Sequence, residues 1–161
     1  MNQVQLRVAA VCELAALREI RNQSAQWGCR SVYTGEQLAA WLARPLPDKM
    51  LRLLESGFVM VAEVQDRVVG YGALDPESQE IEAVFVLPDH AGQGVGLALL
   101  RALEAAAQRL GLDQLQLAAS LNAVSFYRQA GYTSVSSGEF ALNETQSLSF
   151  ERMEKCIAVA V

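Results

Sequence analysis

The chain has 161 residues, 52% of them hydrophobic and 19% charged, with a net charge of −5 and a sequence pI near 4.9. Such a chain is long enough to bury a core, and its negative charge disfavours docking on a nucleic-acid backbone or an anionic membrane. Three cysteines without C-x-x-C spacing and a single histidine argue against a disulfide framework and a zinc or multi-histidine metal centre, and fit a reducing, cytoplasmic setting.

No repeat, low-complexity tract or linker interrupts the sequence, so one domain over 1–161 is expected. Residues 5–8 read as a first strand. Over 11–24, Val11, Leu14, Leu17 and Ile20 recur every three residues and predict a helix with one apolar face. A second helix is predicted over 36–44, stopped by Pro45 and Pro47, and a third over 49–55. Strands follow over 58–64 and 67–74, joined at Gln65-Asp66, and over 79–87 after the turn-forming Asp75-Pro76-Glu77-Ser78. The Ala/Leu-rich stretch 97–110 predicts a long helix ended by Gly111. A strand over 115–119, a helix over 123–130 ended by Gly131, and strands over 132–135 and 148–153 complete the chain. Hairpins followed by a β-α-β-α-β unit imply an α/β fold with a mixed sheet. The N-terminus has no long apolar core with a cleavage site, and no apolar run reaches the roughly 20 residues that cross a bilayer.

The apolar strand ending Val84-Phe85-Val86 runs into Ala91-Gly92-Gln93-Gly94-Val95-Gly96 and then a helix. A helix N-terminus offers unpaired N–H groups and a partial positive charge, and glycines let the backbone approach an anion closely. Backbone binding of phosphate needs no basic side chain, which suits an acidic protein. The G-x-G-x-G spacing is not the dinucleotide fingerprint G-x-G-x-x-G, and no lysine follows the glycines as in a P-loop.

The segment V-L-P-D-H-A-G-Q-G-V-G-L-A-L-L resembles the acyl-CoA loop of the GNAT N-acetyltransferase superfamily. Asn122-Ala123-Val124-Ser125-Phe126-Tyr127-Arg128-Gln129-Ala130-Gly131-Tyr132 resembles that family's second element, and the two together with the strands before them span about 58–135. The resemblance implies a single domain whose twisted, mostly antiparallel sheet is flanked by helices and splays between the strand before the glycine loop and the next one. It also implies transfer of an acetyl group from acetyl-CoA to a primary amine of a small molecule or peptide by direct attack, without a metal. A non-catalytic acyl-CoA-binding module of the same fold is the alternative.

Within that resemblance, Ala91 departs from the Gln or Arg usual at the first loop position. The grip on pyrophosphate is then expected from the backbone of Gly92, Gln93, Gly94, Val95 and Gly96, with Gln93 or His90 as side-chain substitutes. Val84, Phe85 and Val86 are expected to pair with the pantetheine arm, with a carbonyl-activating N–H at Phe85 or Val86, and Asn122 to contact that arm or cap the following helix. Tyr127 takes the position that protonates the departing thiolate; the bland alternative is a packed ring beside Phe126. Glu82 takes that of a general base, with Glu80 the other candidate. Period-2 geometry puts Glu82 on the sheet face of Val84 and Val86. Trp27 reads as the better acceptor-pocket candidate and Trp41 as core. The cysteines read as small buried residues, and the apolar 156–161 as docking on the core or meeting a second copy in a homodimer.

Overall fold

The computed structural model describes residues 3–158. Its elements are β1 (Gln5–Val8), α1 (Leu14–Gly28), α2 (Gly35–Leu42), α3 (Asp48–Glu55), β2 (Val59–Val64), β3 (Arg67–Asp75), β4 (Glu80–Val86), α4 (Val95–Arg109), β5 (Gln114–Ser120), α5 (Val124–Gln129), β6 (Thr133–Ala141) and β7 (Ser147–Cys156). Short 3-10 turns at Val11–Glu13 and Pro88–His90 lead into α1 and the glycine loop.

The strands form one seven-stranded sheet in the order β1-β2-β3-β4-β5-β7-β6, antiparallel throughout except for β4 with β5. The predicted β-α-β-α-β unit is modified by its last strand: β7 inserts between β5 and β6, pairs with both, and leaves β6 on the edge. The parallel pair is also the weak one. β4 and β5 share only the Glu80↔Gln116 partnership, whereas β5 pairs with β7 from Gln114 to Ser120. The sheet therefore opens between β4 and β5, as the resemblance implied.

Helix α1 differs instructively from its sequence reading. A strict spacing of three turns about 60° backward per step on a helix of 3.6 residues, so it cannot hold one face for long. Val11 lies in the 3-10 turn and is 46% exposed, and the buried stripe is Leu17, Ile20, Arg21 and Ala25. One member of that stripe is a charged side chain.

Helix α4 packs against β2, β3 and β4 on the other face through Leu99, Leu100 and Leu103. β3 makes room with glycine. A Cβ at Gly72 would stand 2.9 Å from Leu103 Cδ1, and one at Gly70 would stand 2.9 Å from the Phe85 carbonyl. The helix closes at Gly111 (φ +82°), where the Leu112 amide donates to the Ala107 carbonyl at 3.0 Å. Buried Glu104 accepts hydrogen bonds from Arg101 (2.7 Å), Tyr132 (2.9 Å) and Lys155 (2.9 Å), tying α4 to the strands beyond α5.

Of the cysteines, Cys29 is buried, while Cys12 and Cys156 are exposed, unlike the expectation for all three. Past β7, Ile157 is buried and its amide donates to the Asp113 carbonyl at 2.8 Å, so the start of the apolar C-terminus docks on the domain. Residues 159–161 lie outside the described residues.

Candidate functional site

Two cavities flank β4, one on each face of the sheet, and a β-bulge decides which residues go where. The register of β3 and β4 passes from Ala73↔Ala83 to Leu74↔Ile81, so Glu82 has no partner on β3. An extra residue inverts the alternation. Val84 and Val86 consequently line a cavity of about 430 Å³ with the glycine loop. Glu82 turns to the opposite face and lines one of about 470 Å³ with Ala83, Phe85 and Tyr71. The period-2 expectation that Glu82 shares a face with Val84 and Val86 is overturned by this bulge.

The first cavity is built largely from backbone. Gly94 stands at the N-cap of α4 with φ +85°, and Gly92 has φ +74°, both in the left-handed region where a side chain is strained. A Cβ on either would meet nothing within 4 Å, so the bare backbone faces open space. The first intrahelical bond runs from the Ala98 amide to the Gly94 carbonyl at 3.0 Å, which leaves the preceding amides free for an anion. Gly96 lies against the Phe126 ring, with 3.5 Å from its Cβ position to Cζ.

Of the residues expected to hold a cofactor, Val84, Val86, Ala91, Gly92, Gly94, Gly96 and Asn122 line this cavity. The side chains of Gln93, Val95, Phe85 and Tyr127 do not. Gln93 Nε2 turns back to the Asp89 carbonyl at 3.3 Å, and Val95 is buried in the core. The residue that does turn in beside Ala91 is His90, half-buried, whose Nδ1 is buried without a hydrogen-bond partner among the described residues. Asn122 is no helix cap, because Ala123 occupies that position without a side-chain bond. The Asn122 Oδ1 instead accepts from Ser120 Oγ (2.7 Å) and the Cys29 thiol (3.2 Å).

On α5 it is Phe126 that lines the cavity, and its neighbour turns inward. Tyr127 is 7% exposed, packs edge-on to Phe126 (5.0 Å) and Tyr132 (5.7 Å), and its hydroxyl makes no hydrogen bond to a described residue. Burial pushes its phenol well above the ordinary tyrosine pKa, so it stays protonated at neutral pH. Trp27, 48% exposed in the last turn of α1, lines the glycine-loop cavity and not the one that holds Glu82.

The open edge of β4 supplies a row of amides. The Leu87 amide donates to the Val69 carbonyl of the β3 segment at 2.8 Å. Antiparallel alternation from that bond spends the Phe85 N–H on β3 and aims the Val84 and Val86 N–H groups at the gap beside β5. Phe85 contributes its ring to the other face, tilted against Tyr71 (5.7 Å) and Trp41 (6.4 Å).

The second cavity is built from side chains. Arg21, Trp41, Arg44, Lys49, Glu82 and Phe140 are among its walls. Trp41, read from the sequence as core, is half-buried at this surface and edge-on to Tyr33 at 6.4 Å. Lys49 donates to Glu82 (2.7 Å) and pairs with Asp75 (3.0 Å). A groove of about 300 Å³ adjoins it along the splay and shares Trp41, Glu82 and Phe140. In that groove Glu80 faces Arg152 (3.3 Å), and burial, reinforced by neighbouring Glu82, raises the Glu80 carboxyl above its usual range. Among the described residues, no cluster of His, Cys, Asp and Glu could hold a metal ion, and no helix is long and apolar enough to cross a membrane.

Comparisons with known proteins agree with this architecture. No curated protein matches the chain. Among solved structures, the GCN5-related N-acetyltransferase of Rhodopseudomonas palustris is 26% identical with a TM-score of 0.87, covering 97% of each chain. The PaiA N-acetyltransferase of Thermoplasma acidophilum, solved with coenzyme A, is 20% identical with a TM-score of 0.76, covering 96% of this chain and 99% of its own. The yncA protein of Salmonella typhimurium, solved with its cofactor acetyl-CoA, is 24% identical with a TM-score of 0.69, covering 99% and 96%. The acetyltransferase (GNAT) domain profile matches residues 29–155, most of the chain and every wall of the two cavities except those from α1, and the protein belongs to the GNAT acetyltransferase family.

Proposed function

We propose that this protein transfers an acetyl group from acetyl-CoA to a primary amine by direct attack, acting as one catalytic domain in the cytoplasm. The observation that carries the reading is the pair of cavities on opposite faces of β4, beside a gap where β4 and β5 share a single partnership. One face offers bare helix-terminal amides, and the other offers the Glu80 and Glu82 carboxylates at β4, with Arg21, Arg44 and Lys49 farther along its walls. Such a partition suits an anionic donor and a cationic acceptor approaching the same strand from two sides.

In this reading the amides from Gln93 to Leu97 hold the pyrophosphate, with His90 Nδ1 as a side-chain donor where Ala91 offers none. The Val84 and Val86 N–H groups pair with the pantetheine arm as an added strand does, and Asn122 flanks it. The thioester supplies the acyl group. Its carbonyl oxygen accepts from the strand amide nearest the gap as negative charge develops there. Glu80 takes a proton from the incoming ammonium, directly or through water, because its raised carboxyl is a stronger base than an ordinary one. Glu82, ion-paired with Lys49, orients the amine end of the acceptor. The family resemblance makes Tyr127 the proton source for the leaving thiolate; its side chain packs beside the cavity without lining it, and its hydroxyl makes no hydrogen bond to a described residue.

The test is release of free CoA thiol from acetyl-CoA over a broad panel of primary amines, with calorimetry of acetyl-CoA binding. Turnover with an amine and binding in the micromolar range are expected. Binding without turnover would support an acyl-CoA-binding module instead, and absence of binding at millimolar acetyl-CoA would overturn the loop assignment.

A further inference from the structure

The acceptor cavity carries charge that amine acetylation alone does not require. Arg21, in the buried stripe of α1, is 4% exposed and lines the cavity. Its Nε donates to Asn22 Oδ1 (2.9 Å) and its Nη2 to the Arg44 carbonyl, both neutral partners. It forms no ion pair with a described carboxylate, and Nη1 has no hydrogen-bond partner among the described residues. A buried guanidinium normally has an anion beside it, because desolvating a charge without compensation is costly. Burial holds the Arg21 pKa below its ordinary value, the mark of a desolvated cation short of a counter-charge.

Two further groups share this shortage. Tyr71 is 0% exposed at the cavity floor, and its hydroxyl is buried without a hydrogen-bond partner among the described residues. Arg44, on the rim, donates to the Leu142 carbonyl (2.9 Å) and lies over the Phe140 ring (5.1 Å), with no carboxylate paired to it among the described residues. Lys49, the other cation of the cavity, is already paired with Glu82 and Asp75. The charges are arranged with the two guanidiniums, unpaired with carboxylates among the described residues, near the linker between α2 and α3, where Asp48 is the one carboxylate, with the Glu80 and Glu82 carboxylates at β4 and the rings of Trp41, Phe85 and Phe140 among the walls.

We propose that the acceptor is a small amine that also carries a carboxylate on an apolar frame, such as a free amino acid, with Arg21 and Arg44 holding the carboxylate and the Glu80–Glu82 side drawing the ammonium. The proposal rests on the acetyl-transfer reading above and specifies its substrate class. A carboxylate fits better than a phosphate: its two oxygens match the planar donors of a guanidinium, and a dianion would face repulsion from Glu82 in the same cavity. Arg21 also ties α1 to the linker through the Arg44 carbonyl, so its substitution tests folding as well as binding. Tyr71→Phe has no such difficulty, because the hydroxyl it removes has no hydrogen-bond partner among the described residues.

The experiment compares free amino acids, α-amino and ω-amino, with their primary amides and with O-phosphoethanolamine, by CoA release and with the KM for acetyl-CoA measured in parallel. The wild-type protein should favour the free acid over its amide by about 10- to 100-fold in kcat/KM, the range of a hydrogen bond to a charged group. Arg21→Gln should abolish that preference through acceptor KM, leaving acetyl-CoA KM unchanged. Arg21→Lys should recover part of it, and Tyr71→Phe should shrink it with the Tm retained. Equal use of acid and amide by a protein that turns over acetyl-CoA would overturn the carboxylate site while sparing the acetyl-transfer reading. Preference for the phosphorylated amine would overturn it too. Failure to bind acetyl-CoA would remove both.

Discussion

The two cavities beside β4 are made of different materials. The glycine-loop side is largely backbone: helix-terminal amides, two glycines with positive φ, and His90 as its one titratable wall. The Glu82 side, the proposed acceptor cavity, is side chain: Arg21, Arg44, Asp48, Lys49 and Glu82 among aromatic rings. A backbone site depends on a local glycine pattern at a strand-to-helix junction, so a shared donor can be held by one short motif. A side-chain site can be assembled from any segments the fold brings together, so it varies freely with the acceptor. The difference explains how a family can share its donor and differ in what it acetylates.

That contrast can be broken by substitution, beginning with the largest effect. Tyr127→Phe should lower kcat about 10²- to 10⁴-fold while acetyl-CoA binding stays within twofold, measured by steady-state kinetics and calorimetry. An unchanged kcat would leave Tyr127 as the packed ring that its 7% exposure also allows. Glu80→Gln should cost about 10²-fold in kcat and remove the acidic limb of the pH–rate profile. The sign follows from the raised carboxyl: a base must be ionised, so activity falls as pH drops through its elevated value. Should Glu82→Gln and not Glu80→Gln remove that limb, the two carboxylates exchange roles.

Smaller effects separate folding from either cavity. Glu104→Gln should destabilise by about 2–3 kcal/mol, read by urea unfolding, since Lys155 and Arg101 lose their anion. Burial raises the Glu104 carboxyl, but hydrogen bonds from Arg101, Lys155 and Tyr132 outweigh it and hold it below the usual range. Its contribution is therefore present above the unfolded-state value and lost as acid titrates the folded carboxylate, so the variant should differ least from the parent at low pH. Gly94→Ala should be the mildest, costing about 1–2 kcal/mol for a left-handed residue with a Cβ, seen as an approximately tenfold higher acetyl-CoA KM and an unchanged acceptor KM. An equal rise in both KM values would mean that the cavities are not separable.

Much of the fold was legible because local rules carry it. Gly111 and Gly131 end their helices where expected, with φ of +82° and +102°, and Gln65-Asp66 turns the β2–β3 hairpin in the left-handed region. Features set by non-local packing were not legible. β7 inserts between β5 and β6 because pairing choice is non-local. Val11 leaves the apolar face because a spacing of three drifts around a helix. Phe126 and Tyr127 are adjacent on α5, and only the packing of Tyr132 and the glycine loop decides which ring turns inward.

By itself the sequence determined the donor side: a strand, a glycine run and a helix start define an anion-binding backbone without help from the rest of the chain. Only the tertiary structure decided the acceptor side. The bulge at Glu82, invisible to a period-2 reading, moved that carboxylate away from the glycine loop, and the packing of α1 buried Arg21 opposite Tyr71. Those residues come from segments far apart in the chain, and their charge acquires meaning only once burial has removed the water around them.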